Sequence, residues 1–317
     1  MSEQTTQSIT PDALSGHWTN TRLPEAWRPY ARLARWDRPI GWWLLLWPCW
    51  FSAGLAALAA GESMPNFWHM FLFFVGAVAM RGAGCTYNDI VDCKIDAQVE
   101  RTKNRPLPAG EVTVRNAKIF MVAQSLTGFV VLIQFNWFSI WLGICSLAVV
   151  AIYPFMKRIT SWPQFVLGLA FNWGALMGWA AVFGRIDTPA ILVYLGGVAW
   201  TIAYDTIYAH QDQTDDAIIG VKSTARLFGR ATKPLISLFF VIALGCFAVA
   251  GALASPDGST RVLVLIAMLA PTAHALWQLW MFDPDQNETC LRAFRSNKYF
   301  GLLVFGAFAG PALVASL

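Results

Sequence analysis

The chain has 317 residues, of which 56% are hydrophobic and only 13% charged, where a soluble domain carries roughly 25% charged residues. That deficit places it among membrane proteins and excludes an ordinary soluble fold. A net charge of +4 gives no case for a nucleic-acid partner, and the six cysteines lack CxxC or metal-ligand spacing, so they read as small buried hydrophobes.

Residues 1–23 are polar, and the first 20 carry Glu3 and Asp12 but no Lys or Arg. They fit neither a signal peptide nor an Arg-rich transit peptide, and a mobile tail is expected. Residues 24–36, "PEAWRPYARLARW", interleave Arg with Trp, Tyr and Leu. They read either as a short helix in the headgroup layer or as the lead-in to the first span. From there a single all-α transmembrane domain is expected to run over 24–317.

A span takes about 20 mostly apolar residues. Nine stretches qualify: 40–60, 66–87, 116–135, 137–154, 163–184, 188–209, 234–254, 262–282 and 299–317. Of the 23 Lys and Arg residues, all but Arg185 and Arg261 fall in the N-terminal segment and alternate connections. The positive-inside rule then puts the N-terminus in the cytoplasm.

Where span one begins, "RWDRPIGWWLLLWP" gathers Arg35, Asp37 and Arg38. An Arg there is either a bidentate clamp for a substrate carboxylate or an interfacial anchor. Span two runs into "NDIVDCKIDAQVERTKNRP", residues 88–106. Asn88, Asp92 and Asp96 are four apart, so one helix face carries them. Like charges at that spacing repel, unless a cation sits among them.

At the end of span four, "YPFMKR" puts Tyr153 and Lys157 on one face, with Arg158 beside them; snorkelling from a helix end is the plainer alternative. After span six, "DTIYAHQDQTDD" supplies Asp205, Asp212, Asp215 and Asp216. Spacings of seven and four again select one face. The device recurs at equivalent places in the chain, which hints at two related halves.

Carboxylate and amide oxygens suit Mg²⁺, which likes to share its coordination with phosphates. Lys94, Arg101, Lys103 and Arg105 follow the first set, and Lys222 and Arg226 the second. Acids to hold a metal, a metal to bridge phosphate oxygens and bases to take the remaining charge together describe a diphosphate site. No GxSxG elbow or soluble-type phosphate loop is present.

These stretches together resemble the UbiA superfamily of intramembrane prenyltransferases, over the whole chain from about residue 30. The NDxxDxxxD pattern is met by Asn88, Asp89, Asp92 and Asp96. DxxYAxxDxxDD is met by Asp205, Tyr208, Ala209, Asp212, Asp215 and Asp216. "NRPLPAG" and "IGVKSTA" are most similar to the branch acting on 4-hydroxybenzoate.

The resemblance implies nine helices around a central cavity, with Mg²⁺ held by Asn88, Asp92, Asp96, Asp205, Asp212 and Asp216 on a polyprenyl diphosphate. Lys103, Arg105, Lys157, Arg158 and Lys222 would meet the diphosphate and Arg38 the benzoate carboxylate. Asp205 would assist at the acceptor, and Tyr153, on one face with Lys157, completes the catalytic candidates. It implies a lipid bilayer setting and no obligate protein partner. A bacterial inner membrane is expected, with the mitochondrial inner membrane as alternative. Other branches, of haem O or menaquinone type, stay open. A cation-coupled transporter would instead bury acids near the midplane of its spans.

Overall fold

A computed structural model describes residues 17–98, 102–212 and 222–316, and every regular element within them is helical. In order these are α1 (Trp18–Thr21), α2 (Arg28–Leu33), α3 (Ile40–Ala60), α4 (Phe67–Asp96), α5 (Val114–Leu132), α6 (Trp137–Ile159) and α7 (Pro163–Phe171). There follow α8 (Trp173–Phe183), α9 (Thr188–Ala209), α10 (Thr224–Phe228), α11 (Thr232–Ala254), α12 (Gly258–Ala267), α13 (Leu269–Met281) and α14 (Asn287–Ala315).

Among the described residues, eight helical stretches are long and apolar enough to cross a membrane. They account for eight of the nine expected spans. The other, 116–135, is α5: 19 helical residues, but with Arg115, Asn116 and Lys118 in its first turns, and it is not among the eight. The span expected at 299–317 begins earlier, at Asn287. The tail expected over 1–23 is ordered at its end, where α1 buries Thr19; residues 1–16 lie outside the described ones. All six cysteines are free.

Two spans are bent. The one expected over 163–184 breaks at Asn172, whose Nδ2 donates to the Gly168 carbonyl at 2.9 Å and to Thr201 Oγ1 at 2.8 Å. The Gly168 carbonyl also accepts the Asn172 backbone N–H at 3.1 Å, so the buried side chain adds a second bond at the break and ties it to α9. The one expected over 262–282 breaks at Met268. Pro271 has no N–H to give the carbonyl four residues back, at the end of α12.

The chain groups into two compact units, residues 1–42 with 78–129, and 43–77 with 130–317. In the larger unit α9 is the central helix, packed by α7, α8, α11 and α14. Its small residues Gly196, Gly197, Ala199 and Ala203 are buried, and they let neighbouring backbones come close where lipid gives no hydrophobic push. Phe51 of α3 meets Trp200 of α9 and Phe247 of α11, with ring centroids 5.8 and 5.7 Å apart. Trp200 donates its indole N–H to Asn297 Oδ1 at 2.8 Å. Large apolar side chains such as Trp141, Val241, Val249 and Ile266 face outward, as lipid-facing positions require.

Gly196 shows how tight this core is. A Cβ there would lie 2.8 Å from the Phe247 ring and 3.0 Å from the Ala243 carbonyl. Gly196→Val is therefore expected to cost about 1–3 kcal/mol by overpacking, read as a lowered thermal midpoint in detergent. An unchanged midpoint would refute this packing of α9 on α11.

The smaller unit has its own core. Leu33, Leu107, Val112 and Ala117 are buried together, with Tyr30, Ile90, Cys93 and Phe120 packed against them. Arg32 pairs with Glu111 across this unit. The core ties α2, the polar end of α4, the stretch 102–113 and α5 into one body, which positions the residues below.

Candidate active site

The first aspartate set lies where the sequence places it. Helix α4 runs unbroken to Asp96, so Asn88, Asp92 and Asp96 share a face. Asp89, Asp92 and Asp96 are buried, at 1%, 0% and 5% exposure. Three carboxylates in that state demand cations.

Two of those cations are arginines. Arg35 Nη2 donates to both oxygens of Asp89, at 2.7 and 2.9 Å. Arg105 Nη1 donates to Asp96 Oδ2 at 2.7 Å and to Asp89 Oδ1 at 3.3 Å. Asp89 thus faces two guanidiniums, which takes it out of the ligand set. Burial alone would lower the Arg35 pKa, but Asp89, helped by Asp37, holds it above its ordinary value.

Local structure brings the arginines there. Helix α2 closes with Trp36 N–H on the Ala31 carbonyl at 2.9 Å and Arg35 N–H on the Arg32 carbonyl at 3.2 Å. Arg35 adopts φ +58 at this turn, the left-handed position that glycine usually fills. On the other side, Thr102 Oγ1 donates to the Asp96 carbonyl at 2.9 Å and returns the chain so that Arg105 reaches back. Lys103 is exposed.

Arg38 donates Nε to Asp37 Oδ2 at 3.3 Å. Asp37 is buried, and its Oδ1 has no hydrogen-bond partner among the described residues. Arg81 was of use in the sequence only for orientation. In the structure its guanidinium lies against Gly41, where a Cβ would come within 2.7 Å of Nε.

In the larger unit, Asp205 is partly buried on the last turns of α9. The helix then changes character: His210–Asp212 is a 3-10 turn. The Asp212 side chain and residues 213–221, with Asp215 and Asp216, lie outside the described residues. His210 packs on Phe282 and bonds Thr232 at 3.2 Å. Burial lowers its pKa despite Asp285, disfavouring a cation there.

Tyr153 and Lys157 both sit on α6, one turn apart, with Arg158 exposed beside them. Lys222 joins this end of α6. Its backbone N–H donates to the Lys157 carbonyl at 3.0 Å, and Nζ to the Ile159 carbonyl at 3.1 Å. The structure thus brings Lys222 to the adjacent pair Lys157 and Arg158, more than 60 positions earlier in the sequence.

Among the described residues, no three His, Cys, Asp or Glu side chains close on a point that would hold a metal. The donors that are described are hard oxygens. Asp96 Oδ1 makes no hydrogen bond among the described residues, so an oxygen of the right chemistry for Mg²⁺ is available there.

The UbiA prenyltransferase family matches residues 45–306. The chain belongs to that family. It is 48% identical over 278 residues to the mitochondrial 4-hydroxybenzoate polyprenyltransferase of Aedes aegypti, covering 87% of this chain and 62% of that one. Against the human protein of the same name it is 45% identical over 283 residues, 89% of this chain and 75% of that one.

Among solved structures, a UbiA homologue from Aeropyrum pernix K1 in its apo form superposes with a TM-score of 0.67 at 22% identity, covering 83% of this chain and 96% of that one. A homologue from Archaeoglobus fulgidus, bound to GPP and Mg²⁺, gives 0.67 at 17%, covering 90% and 99%. These last two likenesses establish the all-helical membrane fold.

Proposed function

We infer that this UbiA family member transfers a polyprenyl group from polyprenyl diphosphate to the ring carbon ortho to the hydroxyl of 4-hydroxybenzoate, releasing diphosphate. What carries the reading is the complete two-aspartate pattern in a chain 48% identical to an enzyme named for that acceptor. The relatives are named mitochondrial, which supports the mitochondrial inner membrane over a bacterial one. The aspartate segments belong on the side of the membrane that holds the N-terminus.

We assign Asn88, Asp92, Asp96, Asp205, Asp212 and Asp216 to holding Mg²⁺. When bound, the ion supplies Lewis-acid stabilisation to the diphosphate oxygens. Lys103, Lys157, Arg158 and Lys222 take charge that builds on the bridging oxygen as the allylic C–O bond breaks, which is where fixed cations lower a barrier most. The bond's electron pair leaves with the diphosphate, and the acceptor ring carbon attacks the allylic cation. Asp205 takes the phenol proton, the proton on the alkylated ring carbon then moves to the oxygen as the ring regains aromaticity, and Tyr153 orients the leaving group from the α6 side. Arg38 holds the carboxylate of the acceptor. Apolar walls such as those lined by Trp and Phe keep water from quenching the cation.

The test is prenyl transfer by purified protein with 4-hydroxybenzoate, haem and a menaquinone-type naphthoate offered in parallel. Transfer to the benzoate is expected, abolished by chelation and restored by Mg²⁺. Preference for haem or the naphthoate would move the chain to another branch. Full activity after chelation would remove the metal from the reaction.

A further inference from the structure

We propose that Asp89 and Arg105 are positioning residues that orient Asp96 for the divalent ion, so that Arg105 serves the metal site rather than the diphosphate. The proposal rests on the assignment of Asp96 as a metal ligand. Its geometry is a chain of ion pairs. Arg35 grips both oxygens of Asp89, at 2.7 and 2.9 Å, and Asp89 Oδ1 meets Arg105 Nη1 at 3.3 Å. The same Nη1 holds Asp96 Oδ2 at 2.7 Å.

Charge decides what this chain can do. Two guanidiniums face two carboxylates, so Arg105 has no surplus charge with which to draw in a diphosphate. What it does have is a fixed place. The loop behind it is pinned to the end of α4 by Thr102 on the Asp96 carbonyl, and Arg105 N–H bonds the Thr102 carbonyl at 2.9 Å. With Oδ2 tied to Arg105, Asp96 cannot spin about its terminal bond, and Oδ1 is the oxygen presented. A ligating carboxylate whose other oxygen is held from outside is a recurring way of tuning metal affinity.

Asp89 carries the identity of a motif acid but spends both oxygens on arginine. It is the fixed point that keeps Arg105 beside Asp96. Arg35 in turn fixes Asp89, from a backbone turn in the left-handed region.

The experiment is Mn²⁺ binding to the full chain in detergent, followed by electron paramagnetic resonance, first without and then with inorganic diphosphate. Arg105→Gln and Asp89→Asn are each expected to weaken Mn²⁺ alone by about tenfold or more. Diphosphate affinity of the Mn²⁺-loaded protein is expected to change less than about threefold. In Arg105→Ala, millimolar ethylguanidinium is expected to restore Mn²⁺ binding, a recovery that a misfolded variant would not show. Unchanged Mn²⁺ affinity in Arg105→Gln with weakened diphosphate binding would put Arg105 on the phosphate and overturn the proposal. So would failure of ethylguanidinium to restore the Arg105→Ala variant. Asp92→Asn separates the two levels: if it binds Mn²⁺ as wild type does, the metal assignment itself is wrong.

Discussion

Asp92→Ala and Asp212→Ala are each expected to reduce prenyl transfer by at least about 10³-fold while leaving the protein folded in detergent. The size follows from what the metal supplies: charge stabilisation at the breaking C–O bond, in a site where water is scarce and each electrostatic contact counts heavily. Asp92 is fully buried on the face of α4 that also carries Asn88 and Asp96. Asp212 belongs to the second aspartate segment, 120 positions further along, and tests whether that segment serves the same ion. The measurement is turnover with labelled prenyl diphosphate, alongside thermal midpoints for both variants. Near-normal turnover in either variant would remove that residue from the metal site.

The second large effect is on stability. Arg35→Ala leaves Asp89, 1% exposed, with Arg105 at 3.3 Å but without its two-oxygen partner, and removing one partner of a buried ion pair destabilises by about 3 kcal/mol. Arg35 also occupies φ +58, which disfavours any residue with a Cβ by roughly 1 kcal/mol. Arg35→Gly relieves that strain while losing the same ion pair. The glycine variant is therefore expected to be about 1 kcal/mol more stable than the alanine variant, yet well below wild type. Denaturant or thermal unfolding in micelles gives both numbers. A glycine variant as stable as wild type would mean that the pair with Asp89 contributes no more than the roughly 1 kcal/mol returned by the relieved strain.

What was legible in the sequence was whatever depends on an unbroken period. The face shared by Asn88, Asp92 and Asp96 is correct because α4 continues to Asp96. The second set rests on the same spacing, but there α9 ends at Ala209 and a 3-10 turn over His210–Asp212 follows. Nothing in the local pattern marks that change. Spans with continuous apolar runs were found within a few residues. The bend at Asn172 is not legible, since an amide that bonds a carbonyl one turn back and a threonine on another helix looks in sequence like any other polar residue in a run.

Partners distant in sequence were the hardest to foresee. Asp89 reads as one more motif acid, and its pairing with Arg35, 54 residues earlier, depends on how α2 folds against α4. Arg35 was seen only as an interfacial base or a substrate clamp. Lys222 was placed with the diphosphate on sequence grounds. Its two hydrogen bonds to the end of α6 show how it joins Lys157 and Arg158, a grouping that no spacing rule encodes.

The most direct measurement is the phosphorus hyperfine coupling of Mn²⁺ bound together with inorganic diphosphate. The coupling should be present in wild type and lost in both Asp92→Asn and Asp212→Asn, as expected if acids from two distant segments grip one ion on the leaving group. An undiminished coupling in the Asp212 variant would contradict a shared ion.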